Sequence, residues 1–166
     1  AVLMEAMKPT LVPNFTAIQE NLGRVGKIRR YFASYGQYSS RYDAYKQGTV
    51  LSAFKRELSK GALMDIGIYC VYALVVLFGK PESIKASGLL LDTGVDAEGS
   101  ILLKYPDMEA AIIYSKITDS MLPLEIQGED GNIIADKVNV PEKVTLRMRN
   151  GEEAELTRNQ KMPPMY

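Results

Sequence analysis

The sequence contains no histidine, a single cysteine and no excess of charge of either sign. Without histidine, these residues provide no imidazole general base, no His-based catalytic triad and no imidazole metal ligand. Cys70 alone can form neither an internal disulfide nor a multi-cysteine zinc site, and its apolar neighbours predict a buried packing residue. Many hydrolase mechanisms are therefore excluded, and we expect no metal site in this chain.

The charges balance, with 20 basic and 20 acidic residues. A balanced chain produces no long-range field that would gather nucleic acid or an anionic membrane surface. No window approaches the roughly 18 apolar residues of a membrane-spanning helix, and the N-terminus lacks a basic region that leads into a long apolar run. We therefore expect a soluble, cytoplasmic protein with no nucleic-acid or membrane partner.

The first third of the sequence predicts a strand, a helix and a second strand. Residues 2–7 form a short apolar run that predicts a strand. Apolar residues then recur at helical spacing over residues 11–22, with Thr10 as a plausible N-cap and Gly23 placed to end the helix. Residues 27–36 are rich in β-formers between glycines and predict the second strand.

The middle of the sequence combines an irregular segment with the most apolar one. Residues 37–59 are dense in tyrosine, serine and charge without a clean period, which predicts a long loop of functional importance. Residues 61–78 are apolar on nearly every side and predict a helix buried against more than one neighbour.

The second half of the sequence predicts a sheet. Apolar residues alternate with polar ones in short runs, and Asp130-Gly131 and Asn150-Gly151 supply hairpin turns, so antiparallel pairing should dominate. The predicted strands are residues 84–91, 98–104, 110–117, 124–127, 132–135, 143–148 and 153–156. The order of elements predicts the α+β class, with an open, predominantly antiparallel sheet and helices on one face.

Two residues of the apolar helix stand out chemically. Asp65 is a carboxylate among apolar residues, and Tyr69 lies four residues later, which places both side chains on one helical face that Tyr72 extends. A phenol beside a carboxylate suits proton transfer at a carbonyl or alcohol. A purely structural interpretation also stands: Asp65 caps the first turn, and Gly67 permits close packing.

Gly61-Ala62-Leu63-Met64-Asp65-Ile66-Gly67-Ile68-Tyr69 resembles the Asp-x-Gly-x-His or Asp-x-Gly-x-Tyr signature in the C-terminal domain of the Gfo/Idh/MocA oxidoreductases. Its tyrosine is similar to that of the dihydrodiol dehydrogenase and glucose-fructose oxidoreductase branches. Residues 4–7, the helix to residue 23 and residues 26–28 also follow the order of that family. The resemblance covers about residues 2–135.

The resemblance implies a two-domain enzyme that transfers hydride between NAD or NADP and a sugar, polyol or related substrate. Residues 1–8 would be the remnant of a strand that comes from a missing cofactor-binding domain. Residues 9–158 would bind substrate and form the subunit interface, and residues 159–166 would be a flexible tail. No Gly-x-Gly-x-x-Gly follows a strand, and no Glu-Lys-Pro motif is present, so this chain alone should bind no cofactor and be inactive.

The resemblance also implies roles for single residues. Tyr69 takes the proton-transfer position, and Asp65 orients the substrate or the acid/base group. Glu5 and Met7 would lie at the edge of the nicotinamide site. The sequence departs from the family at residues 8–10, which are Lys-Pro-Thr instead of an aromatic residue followed by Thr-Arg, and this departure leaves the substrate class open.

Residues 31–45 contain the densest polar-aromatic run of the chain. Tyr38 and Arg41 are the best candidates in it, with Tyr72, for contacts to a hydroxylated substrate. The same run interleaves basic and aromatic residues from Lys27 to Tyr42, which is typical of a single-strand nucleic-acid platform and leaves a binding module as an alternative.

The third interpretation is a non-catalytic assembly domain. Six apolar residues of the predicted sheet are numerous enough to supply two buried faces, one against a helix and one against a second copy in a homodimer or higher oligomer. These residues are Leu89, Leu91, Ile101, Leu103, Ile113 and Ile117.

Overall fold

One eight-stranded β-sheet runs through the computed structural model, which describes residues 7–159. Seven of the strands follow the run of helices, as the change of period in the sequence predicts. The strands are β1 (Ile28–Gly36), β2 (Ser83–Leu90), β3 (Asp96–Lys104), β4 (Glu109–Ser115), β5 (Leu124–Gly128), β6 (Gly131–Ala135), β7 (Val144–Met148) and β8 (Glu153–Glu155).

The strands lie in the order β2-β3-β4-β1-β5-β6-β7-β8, and β1 and β4 are parallel. The other neighbouring pairs within residues 7–159 are antiparallel, and the predicted turns at Asp130-Gly131 and Asn150-Gly151 connect two of them. Hairpins join sequence neighbours directly, whereas a parallel pair needs a long connection, which residues 37–108 supply here with two α-helices, β2 and β3. The predicted α+β class and its predominantly antiparallel sheet are confirmed.

Three α-helices precede most of the sheet: α1 (Pro13–Asn21), α2 (Ser40–Lys46) and α3 (Ile68–Phe78). The predicted cap of α1 is wrong, because Val12 is the residue before the helix and Thr10 lies in a 3₁₀ turn with its hydroxyl donating to the Met7 carbonyl. Pro13 explains the shift, since proline lacks the N–H that the first helical position leaves unpaired anyway.

The prediction of a long loop over residues 37–59 is also wrong. This segment contains α2 and two 3₁₀ turns, and it forms a small apolar cluster of its own. Phe54 is fully buried there with Val95, and the rings of Tyr42 and Tyr45 pack against Phe54. Contacts with the distant β2–β3 connection, which no local period reveals, stabilise this segment.

The apolar residues 61–78 do not form one uninterrupted α-helix. A π-helical turn (Leu63–Gly67) precedes α3, and the Leu63 carbonyl accepts a hydrogen bond from the N–H of Ile68, five residues later. Cys70, Ala73 and Leu74 face the sheet and are buried, as expected for Cys70, whereas Tyr72 and Val76 are exposed. The helix packs on β1, β4 and the 3₁₀ turn before α1, so it has more than one neighbour, and its other side is exposed.

By length and composition, the helical run Arg56–Phe78 is apolar enough to cross a membrane, contrary to the sequence expectation. The reason is that residues 61–78 contain a single charged side chain, that of Asp65. The inner side of the run packs on β1 and β4. Core helices of soluble domains have this same composition, so the run by itself is weak evidence for a span.

The main core lies between α1, α3 and the inner face of the sheet. Alternate residues of each central strand enter it, and Val144 and Leu146 of β7 are buried as the alternation predicts. The largest fully buried side chains of this core are Phe15, Ile18, Tyr31, Leu74, Ile112, Ile126, Ile133 and Leu146. The strand prediction for residues 2–7 falls almost wholly outside the described residues, as does the predicted tail.

Candidate active site

The turn that carries Asp65 is anchored to the start of β3. The Leu63 N–H donates to the Asp96 carboxylate at 2.7 Å, and the ideal Cβ position of Gly61 would collide with the same carboxylate. Asp96 thus performs the capping role that the structural interpretation gave to Asp65. That interpretation of Asp65 is wrong, and its carboxylate is available for another role.

Asp65 forms an ion pair with Lys116, which follows the last residue of β4. The Lys116 side chain is only 7% exposed, whereas the Asp65 side chain is 45% exposed. The Lys116 ammonium also lies 6.0 Å from the centre of the Phe54 ring. A buried ammonium therefore has a half-exposed carboxylate as its counter-ion, which is typical of a binding site rather than of a structural core.

The pair opens into a polar cleft of about 270 Å³. Tyr38 and Arg41 line it as the sequence suggested, and α2 begins at its rim. The full lining is Gln37, Tyr38, Ser39, Ser40, Arg41, Asp65, Ile66 and Lys116. Hydroxyl, amide, carboxylate and guanidinium groups converge on this volume, so it suits a small ligand with several hydroxyl groups.

The two predicted substrate residues differ in their availability. The Tyr38 hydroxyl donates to the Asp43 carboxylate at 2.7 Å and accepts a hydrogen bond from Lys46 at 2.8 Å. Both of its partners lie in α2, so the hydroxyl is already hydrogen-bonded within the protein. The same lysine holds the pKa of the Asp43 carboxyl below its usual value. The Arg41 guanidinium is exposed and makes no ion pair within residues 7–159, which leaves its donors free for a ligand.

Tyr69 lies beside this cleft rather than in its lining. Its ring makes an edge-on contact with the Tyr35 ring, with 5.8 Å between the centroids. Burial raises the pKa of Tyr35, and the neighbouring Tyr69 and Asp65 raise it further. Both predicted catalytic side chains therefore lie close to Tyr35, near the end of β1. The Tyr35 hydroxyl donates a hydrogen bond to the side-chain carbonyl of the cleft residue Gln37 at 3.2 Å.

The remaining predicted positions are placed apart from the cleft. Tyr72 is exposed on the side of α3 away from the sheet and does not contribute to the lining. Met7 is buried next to the 3₁₀ turn that precedes α1, and Glu5 lies outside the described residues. Ideal Cβ placement at Gly67 would bring that atom within 2.9 Å of the Tyr114 ring, so close packing explains this glycine.

Sequence reasoning missed Lys116. The signal that would have found it is the period of β4: Ala110, Ile112 and Tyr114 are buried, and Lys116 is the next residue in that alternation. A lysine at a core-facing position needs a buried anionic partner, and the only carboxylate among residues 61–78 is Asp65.

The glycine-rich turn of residues 23–26 does not fit a dinucleotide phosphate. The glycine-rich residues 23–26 end in Gly26, which turns the chain into β1 at φ 74°. The space beside Gly26 is occupied by the Asp130 carboxylate, which would repel a phosphate. Phosphate loops instead open a helix with free backbone N–H groups.

The arrangement is suited to acid/base chemistry on a bound hydroxyl or carbonyl. The phenol of Tyr69 can donate a hydrogen bond, and the Asp65 carboxylate accepts hydrogen bonds from hydroxyl groups. The open sheet, the Asp-x-Gly-x-Tyr turn and the polar cleft together define the class of α+β domain that the sequence resemblance implied.

Comparison with known proteins agrees with that class. The model of the GFO/IDH/MocA C-terminal domain matches residues 20–134, which include the motif and the cleft. This chain belongs to the GFO/IDH/MocA family. The predicted family is thereby confirmed.

Two curated relatives illustrate the similarity. The scyllo-inositol 2-dehydrogenase (NADP(+)) of Bacillus subtilis is 52% identical over 165 residues, covering 99% of this chain and 50% of that protein. The trans-1,2-dihydrobenzene-1,2-diol dehydrogenase of Danio rerio is 36% identical over 137 residues, covering 79% of this chain and 38% of that protein. The chain thus spans half or less of the length of these relatives.

The fold also matches solved structures. An inositol dehydrogenase homolog complexed with NAD+ from Azotobacter vinelandii superimposes with a TM-score of 0.78 at 12% identity, covering 95% of this chain and 44% of that one. At this level of identity, the match shows the shared fold.

Proposed function

We propose that the protein to which this chain belongs is an NAD(P)-dependent oxidoreductase that transfers hydride between a nicotinamide and a sugar, polyol or related substrate. The observation that supports this most strongly is the Asp65–Lys116 pair in a polar cleft beside Tyr69. Within such an enzyme, this domain binds the substrate and supplies the proton-transfer group. We propose that the cofactor is held outside residues 7–159, since the Asp130 carboxylate fills the space beside Gly26 in their glycine-rich turn.

Each side chain of the site has a role in this proposal. The Tyr69 hydroxyl donates a proton to the oxygen of a carbonyl being reduced, or accepts one from an alcohol being oxidised. The Asp65 carboxylate accepts a hydrogen bond from a neighbouring substrate hydroxyl and orients the ring. Arg41 donates to a further substrate oxygen at the rim of the cleft.

The names of the relatives narrow the substrate. The Bacillus subtilis relative acts on scyllo-inositol with NADP(+), according to its name. At 52% identity, a cyclic polyol and NADP are the first substrate and cofactor that we propose for the intact protein. We also propose that it is cytoplasmic, in line with its balanced charge.

The direct test uses the full-length protein to which this chain belongs. We expect reduction of NADP+ or NAD+, followed by absorbance, when the protein is mixed with at least one member of a panel of inositols, glucose and glycerol. The Asp65→Ala variant should lose most of this rate. A folded protein that reduces neither cofactor with any of these compounds, and oxidises neither reduced cofactor with the matching ketones, would refute the proposed function.

We further propose that the outer face of the sheet pairs with a second copy of the protein. Leu89, Leu102 and Ile113 all lie exposed on this face, whereas Ile101 and Leu103 point inward and Leu91 packs in the small cluster. Exposed apolar side chains on one face of three adjacent strands are typical of an interface. The same surface would serve the non-catalytic assembly domain that the sequence leaves open.

Leu102→Asp is expected to dissociate this assembly. The leucine is 59% exposed, so the folded subunit tolerates the carboxylate, whereas a face-to-face dimer would bury an unpaired charge. Light scattering should show the mass of a monomer for this variant and of an oligomer for the wild type. Leu11→Asp, at a residue that is 79% exposed before α1, is the control and should leave the oligomer intact. A monomeric wild type contradicts the proposal.

The nucleic-acid interpretation is less well supported. Lys27, Arg29 and Arg30 each pair with a carboxylate, those of Asp107, Glu129 and Glu109, and Tyr31 is buried with its hydroxyl donating to the Cys70 carbonyl. A stacking platform needs exposed aromatic rings and free cations side by side. The basic residues at the start of this run therefore pair within the sheet, and Tyr31 belongs to the core, so these residues form no such platform.

A further inference from the structure

We propose that Lys116 is a positioning residue of the active site, which holds Asp65 so that one carboxylate oxygen faces the substrate. This inference rests on the proposed function and adds to it a residue outside the family motif. Lys116 lies 51 residues after Asp65 in the sequence and lines the same cleft from the end of β4.

Lys116 itself is fixed from several sides. Its backbone N–H donates to the Ala97 carbonyl at 2.9 Å, which ties the end of β4 to β3. Its ammonium lies over the buried ring of Phe54, in the small cluster formed by residues 42–54 with the β2–β3 connection. Within residues 7–159, Asp65 is the one carboxylate that pairs with it. A buried cation with a single counter-ion keeps that counter-ion in place.

The ion pair with Lys116 involves one of the two Asp65 carboxylate oxygens and leaves the other unpaired within the residues that the structure describes. Oδ2 accepts the hydrogen bond from Lys116 Nζ, whereas Oδ1 accepts none from the residues that the structure describes. Since Asp65 is half-exposed and lines the cleft, Oδ1 is the oxygen left for a substrate hydroxyl. Holding an acceptor in its bound orientation before the substrate arrives lowers the entropic cost of the reaction.

The activity test compares Lys116→Met and Lys116→Arg in the intact protein, with scyllo-inositol as substrate. Methionine keeps most of the apolar stem without charge, and we expect kcat to fall about 10-fold to 100-fold. Arginine restores the charge and should recover part of the loss. In an Asp65→Asn background, Lys116→Met should lower kcat by no more than about 2-fold, because a positioning residue acts through its partner.

Two results would overturn the proposal. One is a folded Lys116→Met protein with kcat close to that of the wild type. The other is an equal loss from Lys116→Met whether it is introduced into the wild type or into the Asp65→Asn variant. Lys137→Met is the matched control. Lys137 pairs with Glu142 on the surface and neither residue lines the cleft, so this variant should leave kcat unchanged.

A second measurement is independent of activity. Asp65→Asn leaves the buried Lys116 ammonium without its counter-ion, so we expect the urea midpoint of Asp65→Asn to rise when Lys116→Met is added. A further fall in the midpoint, equal to that caused by Lys116→Met alone, would show that the two side chains are uncoupled and would overturn the positioning role. If the pair is coupled but the wild type reduces no nicotinamide, the proposed function fails and the positioning role fails with it.

Discussion

Tyr69→Phe in the intact protein is expected to lower kcat by about 10²-fold to 10⁴-fold, the usual contribution of a positioned acid or base. The substitution removes the hydroxyl and keeps the ring that packs against Tyr35 at 5.8 Å. The hydroxyl makes no hydrogen bond to another residue within 7–159, so the free energy of unfolding should change by less than about 1 kcal/mol. Steady-state kinetics and urea denaturation separate the two effects.

Tyr42→Phe is the matched control for that experiment. Tyr42 also packs by its ring, against Phe54 and Tyr45, and lies near the cleft without lining it. This variant should keep the kcat of the wild type. A Tyr69→Phe enzyme with nearly normal turnover would remove the phenol from the mechanism and would leave Asp65, held by Lys116, as the substrate contact.

Gly67→Ala is expected to destabilise the protein, although alanine is the better helix former by about 1 kcal/mol. The new methyl group would lie 2.9 Å from Cγ and 3.0 Å from Cδ1 of the Tyr114 ring, and 3.1 Å from a Leu63 methyl group. Tyr114 is itself buried, so it has little room to move. Overpacking of this kind costs about 1–3 kcal/mol, measured as a lower free energy of unfolding.

The same substitution should also reduce activity, because Asp65 and Tyr69 each lie two residues from Gly67 and would shift with the turn. Gly23→Ala is its control: no atom lies within 4 Å of the added methyl group, and the free energy of unfolding should change by about 0.5 kcal/mol or less. A Gly67→Ala protein that is more stable than the wild type would show that helix propensity outweighs the contact with Tyr114.

The local pattern was sufficient for most of the sheet. Alternation along residues 143–148 and the turn residues at 130–131 and 150–151 predicted β7 and its neighbours, since strand period and hairpin chemistry are both local properties. The loop prediction for residues 37–59 failed because the helix α2 has no buried residue of its own. Its order comes from aromatic contacts around Phe54, which involve Val95 from a different part of the chain.

The candidate site divides in the same way. The motif from Asp65 to Tyr69 was recognisable in the sequence, and so was the polar run that contains Tyr38 and Arg41. Their meeting in one cleft was not, because it depends on the crossover between the parallel strands β1 and β4. The π-helical turn that contains Asp65 could not be predicted from the sequence either, since no residue pattern distinguishes such a turn from an α-helix.

The sequence by itself determined the family and the class of fold, and it predicted which phenol and carboxylate share a helical face, because these follow from residue order over short distances. Only the tertiary structure decided what Asp65 pairs with. Lys116 and Asp96 come from strands that are remote in sequence, and one binds the carboxylate while the other caps its turn. Whether a charge is buried depends on how distant segments pack. The pairing of Lys116 with Asp65 is therefore a property of the folded sheet and not of the local sequence.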